Sequence, residues 1–377
     1  MPEAELITER DRLHLRRALE LAEKGRGRVS PNPMVGAVVV RGDAVIGEGH
    51  HAELGAPHAE VAAIEDCRAR GGDAAGATMY VTLEPCAHRG RRPPCTEAIV
   101  AAGISRVVIA SDDPSEKASG RGPGMLRDEG IEVQLAEGAE ASAARLLNQA
   151  FRKHARTSRP LVTLKSALSL DGRTATPEGD SQWISGPDSR ALVHRWRAES
   201  DAVAIGIGTA LADDPLLTAR EVDATRQPAR VVFDSAARLP LDSALVRSVD
   251  EARLLVVAAP DAPADRRHAL EHAGAELVLI SGTGAHQVEG ALAELGRREI
   301  ASVLLEGGAK LAGSFLDAGE VDELRLFIAP VVIGGGGAHP LIEGRGASRI
   351  VDAQRPLATE WEQIGDDLLI RARLREW

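Results

Sequence analysis

The chain has 377 residues, enough for two ordinary domains, and its 44% hydrophobic and 27% charged residues exclude disordered and fibrous classes. Lysine and arginine number 45 against 56 aspartate and glutamate, a net charge of −11 without the broad electrostatic footprint of duplex binding. Aromatics are only 2%, which leaves few platforms for stacking unpaired bases, so no nucleic-acid partner is expected.

In chain order, residues 1–17 are charged throughout and hold no apolar stretch of the kind a secretory signal needs. A helix is expected over 11–24, where Leu13, Ala18, Leu19, Leu21 and Ala22 recur at roughly helical spacing. A strand over 36–40, a turn at Arg41-Gly42-Asp43 and a short strand over 44–47 read as a hairpin. Helix follows over 59–70, strand over 78–83, helix over 96–102 closed by Gly103, and strand over 106–110. Residues 148–160 are basic and polar, end in Pro160, and read as the connection to a second segment. That segment opens with a strand over 161–166, then a helix over 188–200 and strands over 202–206, 230–234 and 253–258. Helices near 264–273 and 287–296 separate strands over 276–280 and 302–306, and a helix over 308–318 precedes a strand over 323–329. Strands alternating with helices argue for a mostly parallel sheet in each domain. The longest apolar runs, such as 34–40 and 254–259, are strand-length and far short of the roughly 20 residues a membrane span needs. No membrane partner is therefore expected. Cys67, Cys86 and Cys95 do not make a disulfide framework, and a reducing cytoplasm is the expected compartment.

The strongest local signal is Pro57-His58-Ala59-Glu60 together with Pro85-Cys86 and Pro94-Cys95. One imidazole and two thiolates are a ligand set that zinc prefers, and three protein ligands leave a fourth tetrahedral position for water. One such site implies one zinc per chain. Glu60 is placed to carry protons rather than to ligate. Residues two apart face nearly opposite sides in mid-helix, so His58 and Glu60 converge only at a helix end, which Pro57 is suited to start. Cys95 also stands at a helix start, where the macrodipole favours a thiolate. Cys67 reads as a buried small hydrophobe.

These residues match the first half of the zinc-deaminase signature, but eight residues, Ala87 to Pro94, separate the cysteines instead of two. With Ser30-Pro31-Asn32-Pro33, Val35-Gly36, Gly49 and His51, and Thr82-Leu83-Glu84-Pro85-Cys86, the pattern resembles the deaminase of riboflavin biosynthesis. The resemblance implies a cytidine-deaminase-like three-layer domain over residues 1–150, with Glu60 catalytic and Asn32 binding the pyrimidine edge. His51 and Glu84 carry two readings, direct substrate contact or structural hydrogen bonding. Where the family usually has Asp-Pro-Asn-Pro, this chain has Asp113-Pro114-Ser115-Glu116, which is expected to alter loop rigidity without ending deamination.

Further along stand Leu164-Lys165-Ser166-Ala167, Ser169-Leu170-Asp171-Gly172-Arg173, Gln182-Trp183-Ile184-Ser185, Leu211-Ala212-Asp213-Asp214-Pro215, Leu217-Thr218-Ala219-Arg220, Asp234-Ser235 and Glu306-Gly307-Gly308. In that order they are similar to the reductase half of the bifunctional riboflavin-synthesis deaminase/reductase, which implies a dihydrofolate-reductase-like domain over 151–377. Arg197 and Arg220 are forks suited to a phosphate dianion, and Ser181 supplies a hydroxyl. Lys165, Ser185, Asp213 and Glu306 are placed to hold the ribose, and Lys165 or Asp213 is the candidate proton donor after hydride transfer. Leu217 joins them as a substrate contact implied by the resemblance.

Gly206-Ile207-Gly208-Thr209 lacks the third glycine of a dinucleotide fingerprint, so Gly307-Gly308 before a helix is the better pyrophosphate site. The family implies NADPH, with contacts at Ala167, Trp183, Thr209, Asp213, Ser235 and the stretch Gly308, Ala309, Lys310, Leu311, Ala312, Gly313, Ser314. Trp183 has the alternative of a core residue, Asp213 that of a turn-forming residue before proline, and Gly334–Gly337 that of a turn. Residue types alone do not select NADPH over NADH. The expectation is a cytoplasmic homo-oligomer. It would deaminate a small pyrimidine ribonucleotide-like substrate, 2,5-diamino-6-ribosylamino-4(3H)-pyrimidinone 5′-phosphate, and then reduce its ribosyl group to ribityl.

Overall fold

The computed structural model describes residues 7–88, 93–116 and 118–377. The chain divides into two units, residues 1–157 with Trp377 and residues 158–376.

The first unit runs α1 (Glu9–Glu23), β1 (Gly36–Arg41), β2 (Ala44–His50), α2 (Ala59–Ala69), β3 (Thr78–Val81) and α3 (Cys95–Ala101). It continues with β4 (Arg106–Ile109), α4 (Arg121–Asp128), β5 (Glu132–Leu135), α5 (Ala139–Leu147) and α6 (Gln149–Thr157). Its sheet has the order β2-β1-β3-β4-β5. Alternation along β1 sorts the layers. Ala37 and Val39 join Ala59, Ala63 and Ile64 of α2, Ile99 of α3 and Leu126 of α4. Val38 and Val40 join Leu15, Ala18 and Leu21 of α1 and Ala141 and Ala144 of α5 on the other face. Helices on both faces of one sheet give the three-layer architecture. Gly47 and Gly49 of β2 let α2 lie unusually close, because a Cβ at either would run into the Ala63 backbone. Cys67 is fully buried in this core.

The second unit begins β6 (Leu161–Leu168), β7 (Arg173–Ala175), α7 (Pro187–Glu199), β8 (Ala202–Gly206), α8 (Ile207–Asp213), β9 (Ala229–Phe233) and α9 (Ala244–Arg247). Then follow β10 (Leu254–Ala258), α10 (Ala264–His272), β11 (Glu276–Leu279), α11 (Ala285–Arg297), β12 (Ser302–Leu305) and α12 (Ala309–Asp317). The unit closes with β13 (Glu323–Ile328), β14 (His339–Pro340), β15 (Ala358–Ile364) and β16 (Asp367–Arg373). Nine strands form one sheet, β11-β10-β9-β8-β12-β6-β13-β16-β15. One face is covered by α11 and α12 through Ala291, Leu292, Leu295 and Phe315. The other is covered by α7, α9 and α10 through Val193, Trp196, Leu245 and Leu270. The chain steps outward from β8 through β9 and β10 to β11, then returns to insert β12 on the opposite side of β8. That reversal opens a crevice at the carboxyl ends of β8 and β12.

Two expectations differ from what is observed. The second sheet is mostly parallel, but in the first β1 pairs antiparallel with both β2 and β3, and only β3–β4 and β4–β5 are parallel. The hairpin β1–β2 forces this, because it reverses the chain before the helical crossovers begin. The stretch 148–160 holds the helix α6, with Arg152 and Lys153 buried in it, rather than a bare connection.

Candidate active sites

His58 occupies the N-cap position of α2 in extended backbone, with φ −69° and ψ 159°, and Glu60 lies in the first helical turn. The extended cap swings the imidazole back over the helix start, so the two side chains share one site. Cys95 is the first residue of α3, and Cys86 sits in the loop that follows β3. Residues 89–92 of the long spacer between the cysteines lie outside the described residues. His58 Nδ1 is 3.2 Å from Cys95 Sγ and 3.6 Å from Cys86 Sγ, and all three atoms lie within 4.8 Å of one another. A zinc tetrahedron with arms of about 2.0–2.3 Å has edges of about 3.5–3.8 Å, so the donor set and its spacing fit that ion. The Cys95 N–H donates to Cys86 Sγ at 3.3 Å. Its neighbours Cys95 and His58 hold the Cys86 thiol well below its ordinary value.

Glu60 is buried beside them. Burial, reinforced by the negative charge of Cys86, pushes its carboxyl up to about 7. His51 is buried too, with Nδ1 3.1 Å from the Pro57 carbonyl, which can only accept, so Nδ1 carries the proton. Its Nε2 is 3.1 Å from Asn32 Nδ2. Glu84 accepts from the N–H groups of Gly120 and Gly122 and so holds the start of α4. Both His51 and Glu84 make structural hydrogen bonds. Gly122 packs so tightly that a Cβ would meet the Pro85 carbonyl. In the loop that departs from the family, Asp113 Oδ1 accepts from Ser115 N at 2.8 Å and closes an Asx turn.

In the second unit Glu306, one residue beyond β12, is the hub. Arg197 of α7 clamps it with two bonds, Nε to Oε1 at 2.6 Å and Nη2 to Oε2 at 2.9 Å, and Lys165 Nζ of β6 is 3.7 Å away. Burial pushes the Glu306 carboxyl up, but Arg197 and Lys165 outweigh it and hold it at about 2. Burial pushes the Lys165 ammonium down, against the pull of Glu306. Arg197, expected as a fork for a phosphate, is engaged here with protein groups. Two of its nitrogens are matched to Glu306, and the third, Nη1, donates to the Thr218 carbonyl at 3.3 Å. Arg220 is exposed, with Nη1 on Thr218 Oγ1 at 3.0 Å. Leu217 is buried with φ +56°, so only its backbone is offered to a ligand. Ser181 and Ser185 lie half-buried in the loop before α7.

At the crevice Gly206 caps α8, and Gly307 and Gly308, with φ +103° and +84°, lead into α12. A Cβ at Gly308 would sit 3.3 Å from Thr209 Oγ1. Glycine thus keeps open a cradle at a helix N-terminus, a fit for a dinucleotide pyrophosphate. Within α12, Ala312 and Gly313 are buried, Gly313 against the Glu343 carbonyl, so the reachable groups are Gly308, Ala309, Lys310, Leu311 and Ser314. Ser235 Oγ donates to Gln287 Oε1 at 3.0 Å. Ala167 is half-buried on β6, and Asp213 is exposed as the last residue of α8. Trp183 is 70% exposed, with the Arg190 guanidinium 4.8 Å over its ring, which removes the core alternative. Sequence reasoning missed His194 and Gln287. His194 stands one helical turn before Arg197 on α7, an i, i+3 relation that could have drawn it in.

A family model described as the RibD C-terminal domain matches residues 160–370. Another, the cytidine and deoxycytidylate deaminase zinc-binding region, matches residues 8–111. Over 365 residues the chain is 40% identical to the riboflavin biosynthesis protein RibD of Aquifex aeolicus, covering 97% of this chain and 99% of that one. The RibD protein of Escherichia coli is 39% identical, with 96% and 98% covered. A Thermotoga maritima diaminohydroxyphosphoribosylaminopyrimidine deaminase/5-amino-6-(5-phosphoribosylamino)uracil reductase has a crystal structure similar to this one, at a TM-score of 0.85 and 36% identity. That likeness covers 97% of this chain and 99% of the other. The chain belongs to this family, the bifunctional deaminase and reductase proteins of riboflavin biosynthesis.

Proposed function

We propose that residues 1–150 deaminate 2,5-diamino-6-ribosylamino-4(3H)-pyrimidinone 5′-phosphate at C2 and that residues 151–377 then reduce the ribosyl group to ribityl. Zinc and NADPH are the cofactors. The observation that carries the reading is the triangle of His58 Nδ1, Cys86 Sγ and Cys95 Sγ beside the buried Glu60. Zinc held there supplies Lewis acidity that makes water a nucleophile near neutral pH. Glu60, raised to about 7 by burial, would carry the first water proton to the ring nitrogen and then carry the remaining hydroxyl proton to the amino group, which leaves as ammonia as the C–N bond breaks and the carbonyl forms. Asn32, its NH2 directed at His51, holds the pyrimidine edge.

In the second unit NADPH supplies the hydride that reduces C1′ of the opened ribosyl chain. The Gly308 cradle would hold its pyrophosphate, and Ala167, Trp183, Thr209, Asp213 and Ser235 would hold the rest of the cofactor. Glu306, kept ionised, accepts from ribose hydroxyls while Arg197 fixes its orientation. Lys165 delivers the balancing proton, because it is buried beside Glu306 and its lowered affinity for the proton suits an acid. Ser181, Ser185, Leu217 and Arg220 complete the substrate side.

We further place the protein in the cytoplasm as a homo-oligomer. Among the described residues no helix is long and apolar enough to cross a membrane. The edge strand β15 is exposed along its length, with Trp361 72% exposed, and its unpaired backbone edge suits pairing with a second copy. One assay tests the catalytic reading. Ammonia should be released from the pyrimidine phosphate without NADPH, and NADPH should be consumed only after deamination. Oxidation of NADPH with no prior release of ammonia would overturn the order of steps. Light scattering of the Trp361→Glu variant tests the oligomer, which should shift toward smaller species.

A further inference from the structure

His194 lies on α7 within the cationic cluster of the second unit, and no role has yet been given to it. Its Nδ1 is 3.3 Å from the backbone N of Arg220 and 3.2 Å from the Thr218 carbonyl. One nitrogen cannot accept from the first and donate to the second at once. The Thr218 carbonyl already receives Arg197 Nη1, whereas the Arg220 N–H has His194 as its acceptor. Both backbone groups are therefore satisfied when Nδ1 is bare and Nε2 carries the hydrogen. Burial and the neighbouring Arg197 and Arg220 lower the proton affinity of the ring, which keeps it neutral. Among the described residues Nε2–H makes no hydrogen bond to a protein group, and the half-buried ring leaves it for solvent or a ligand.

We infer that His194 is a substrate-positioning residue whose Nε2–H donates to the phosphate of the ribosyl phosphate, beside Arg220. The inference rests on the reductase reading above and deepens it. Arg197 directs one N–H from each of its three nitrogens to Glu306 and Thr218, which leaves only the second hydrogens of Nη1 and Nη2 for a ligand, and His194 adds a further donor at this corner. Lys165, Arg197 and Arg220 against Glu306 leave a net charge of +2, the complement of a phosphate dianion. A neutral N–H adds direction to that charge without adding a further buried cation. Nδ1 meanwhile ties the turn carrying Arg220 to α7, so the two donors are held at a fixed spacing.

Three variants of the full-length zinc-loaded protein separate this role from a merely structural one. Glutamine places its amide NH2 where Nε2 stood, asparagine places its amide where Nδ1 stood, and leucine supplies neither. His194→Leu and His194→Asn should raise KM for the phosphorylated, deaminated intermediate about tenfold, the scale of one lost hydrogen bond to a charged acceptor. His194→Gln should restore most of the loss. Reduction at saturating substrate and the rate of deamination should stay near the parental values in all three. Inorganic phosphate, tested as a competitive inhibitor, should lose potency in the same order. The dephosphorylated intermediate should show no difference among the proteins. Rescue by asparagine with failure by glutamine would reduce His194 to a backbone clamp and overturn the inference, as would parental KM in the leucine variant. Equal KM for phosphorylated and dephosphorylated substrate in the parent would instead overturn the phosphate site itself.

Discussion

Glu60 and Glu306 are both buried carboxylates, one in each unit, and burial alone would raise both. They end far apart. Glu60 has a thiol pair and an imidazole for neighbours, and among these protein groups alone burial and the Cys86 charge raise it to about 7. Glu306 has Arg197 on both oxygens and Lys165 behind, and it is held at about 2. The difference teaches that a buried acid becomes a proton carrier or a permanent anion according to the cations packed with it. In the roles proposed for them, Glu60 moves a proton twice during hydrolysis, whereas Glu306 offers the ribose hydroxyls a charge that stays.

The sharpest way to break the comparison is to remove the metal that Glu60 serves. Cys86→Ser or Cys95→Ser should abolish zinc binding and deamination together, while reduction of the supplied intermediate continues. Metal analysis with both assays checks this, and full zinc content in both variants would falsify the ligand set. Next in size is Glu60→Gln, which keeps shape but carries no proton. Zinc should remain while deamination falls by about 10²–10⁴-fold. A loss below about tenfold would name another proton carrier.

The matching change in the other unit acts through stability. Glu306→Gln strands Arg197 and Lys165 as unbalanced buried cations, at an expected cost of about 3–5 kcal/mol. The sign with pH follows from a carboxyl held at about 2 against an ordinary 4.5. Its stabilising share is fully present above pH 4.5 and is lost as pH falls toward 2. Urea midpoints of the parent should fall across that window, and those of the variant should fall less; parallel curves would show that Glu306 is not the group. Asp213→Ala should be the mildest. As an exposed residue at the end of α8 it should leave the melting temperature in place and weaken NADPH by about tenfold. A thermally normal variant with parental NADPH affinity and oxidation rate would remove Asp213 from the site.

Much of the first site was legible because its chemistry is local. Pro57 and Pro94 mark helix starts where His58 and Cys95 stand, and Pro85 marks Cys86 in the loop after β3, so the motif along the chain names all three ligands. Of the fold, continuous apolar runs such as 36–40 and 254–258 announced strands buried on both faces. The helix α4 was missed because Arg121-Gly122-Pro123-Gly124 carries two glycines and a proline, which read as loop. It forms because Glu84, far away in sequence, binds its first N–H groups. The hairpin β15–β16 was missed because β15 is exposed and shows no buried face to read. The Arg197–Glu306 clamp spans 109 residues, and no pattern along the chain pairs them. For the same reason the fork looked free in sequence and is engaged in the structure.

A census of groups that touch the pyrimidine would pass over Gly47 and Gly49, which carry no chemistry. Yet the hydrogens in place of their side chains set how near α2 rests on the sheet, and with it the reach of His58 and Glu60. A single methyl on β2 would lift the helix and open the ligand triangle, and the lesion would present as metal deficiency with every ligand intact. The affinity of this chain for its ion is written partly in atoms it lacks.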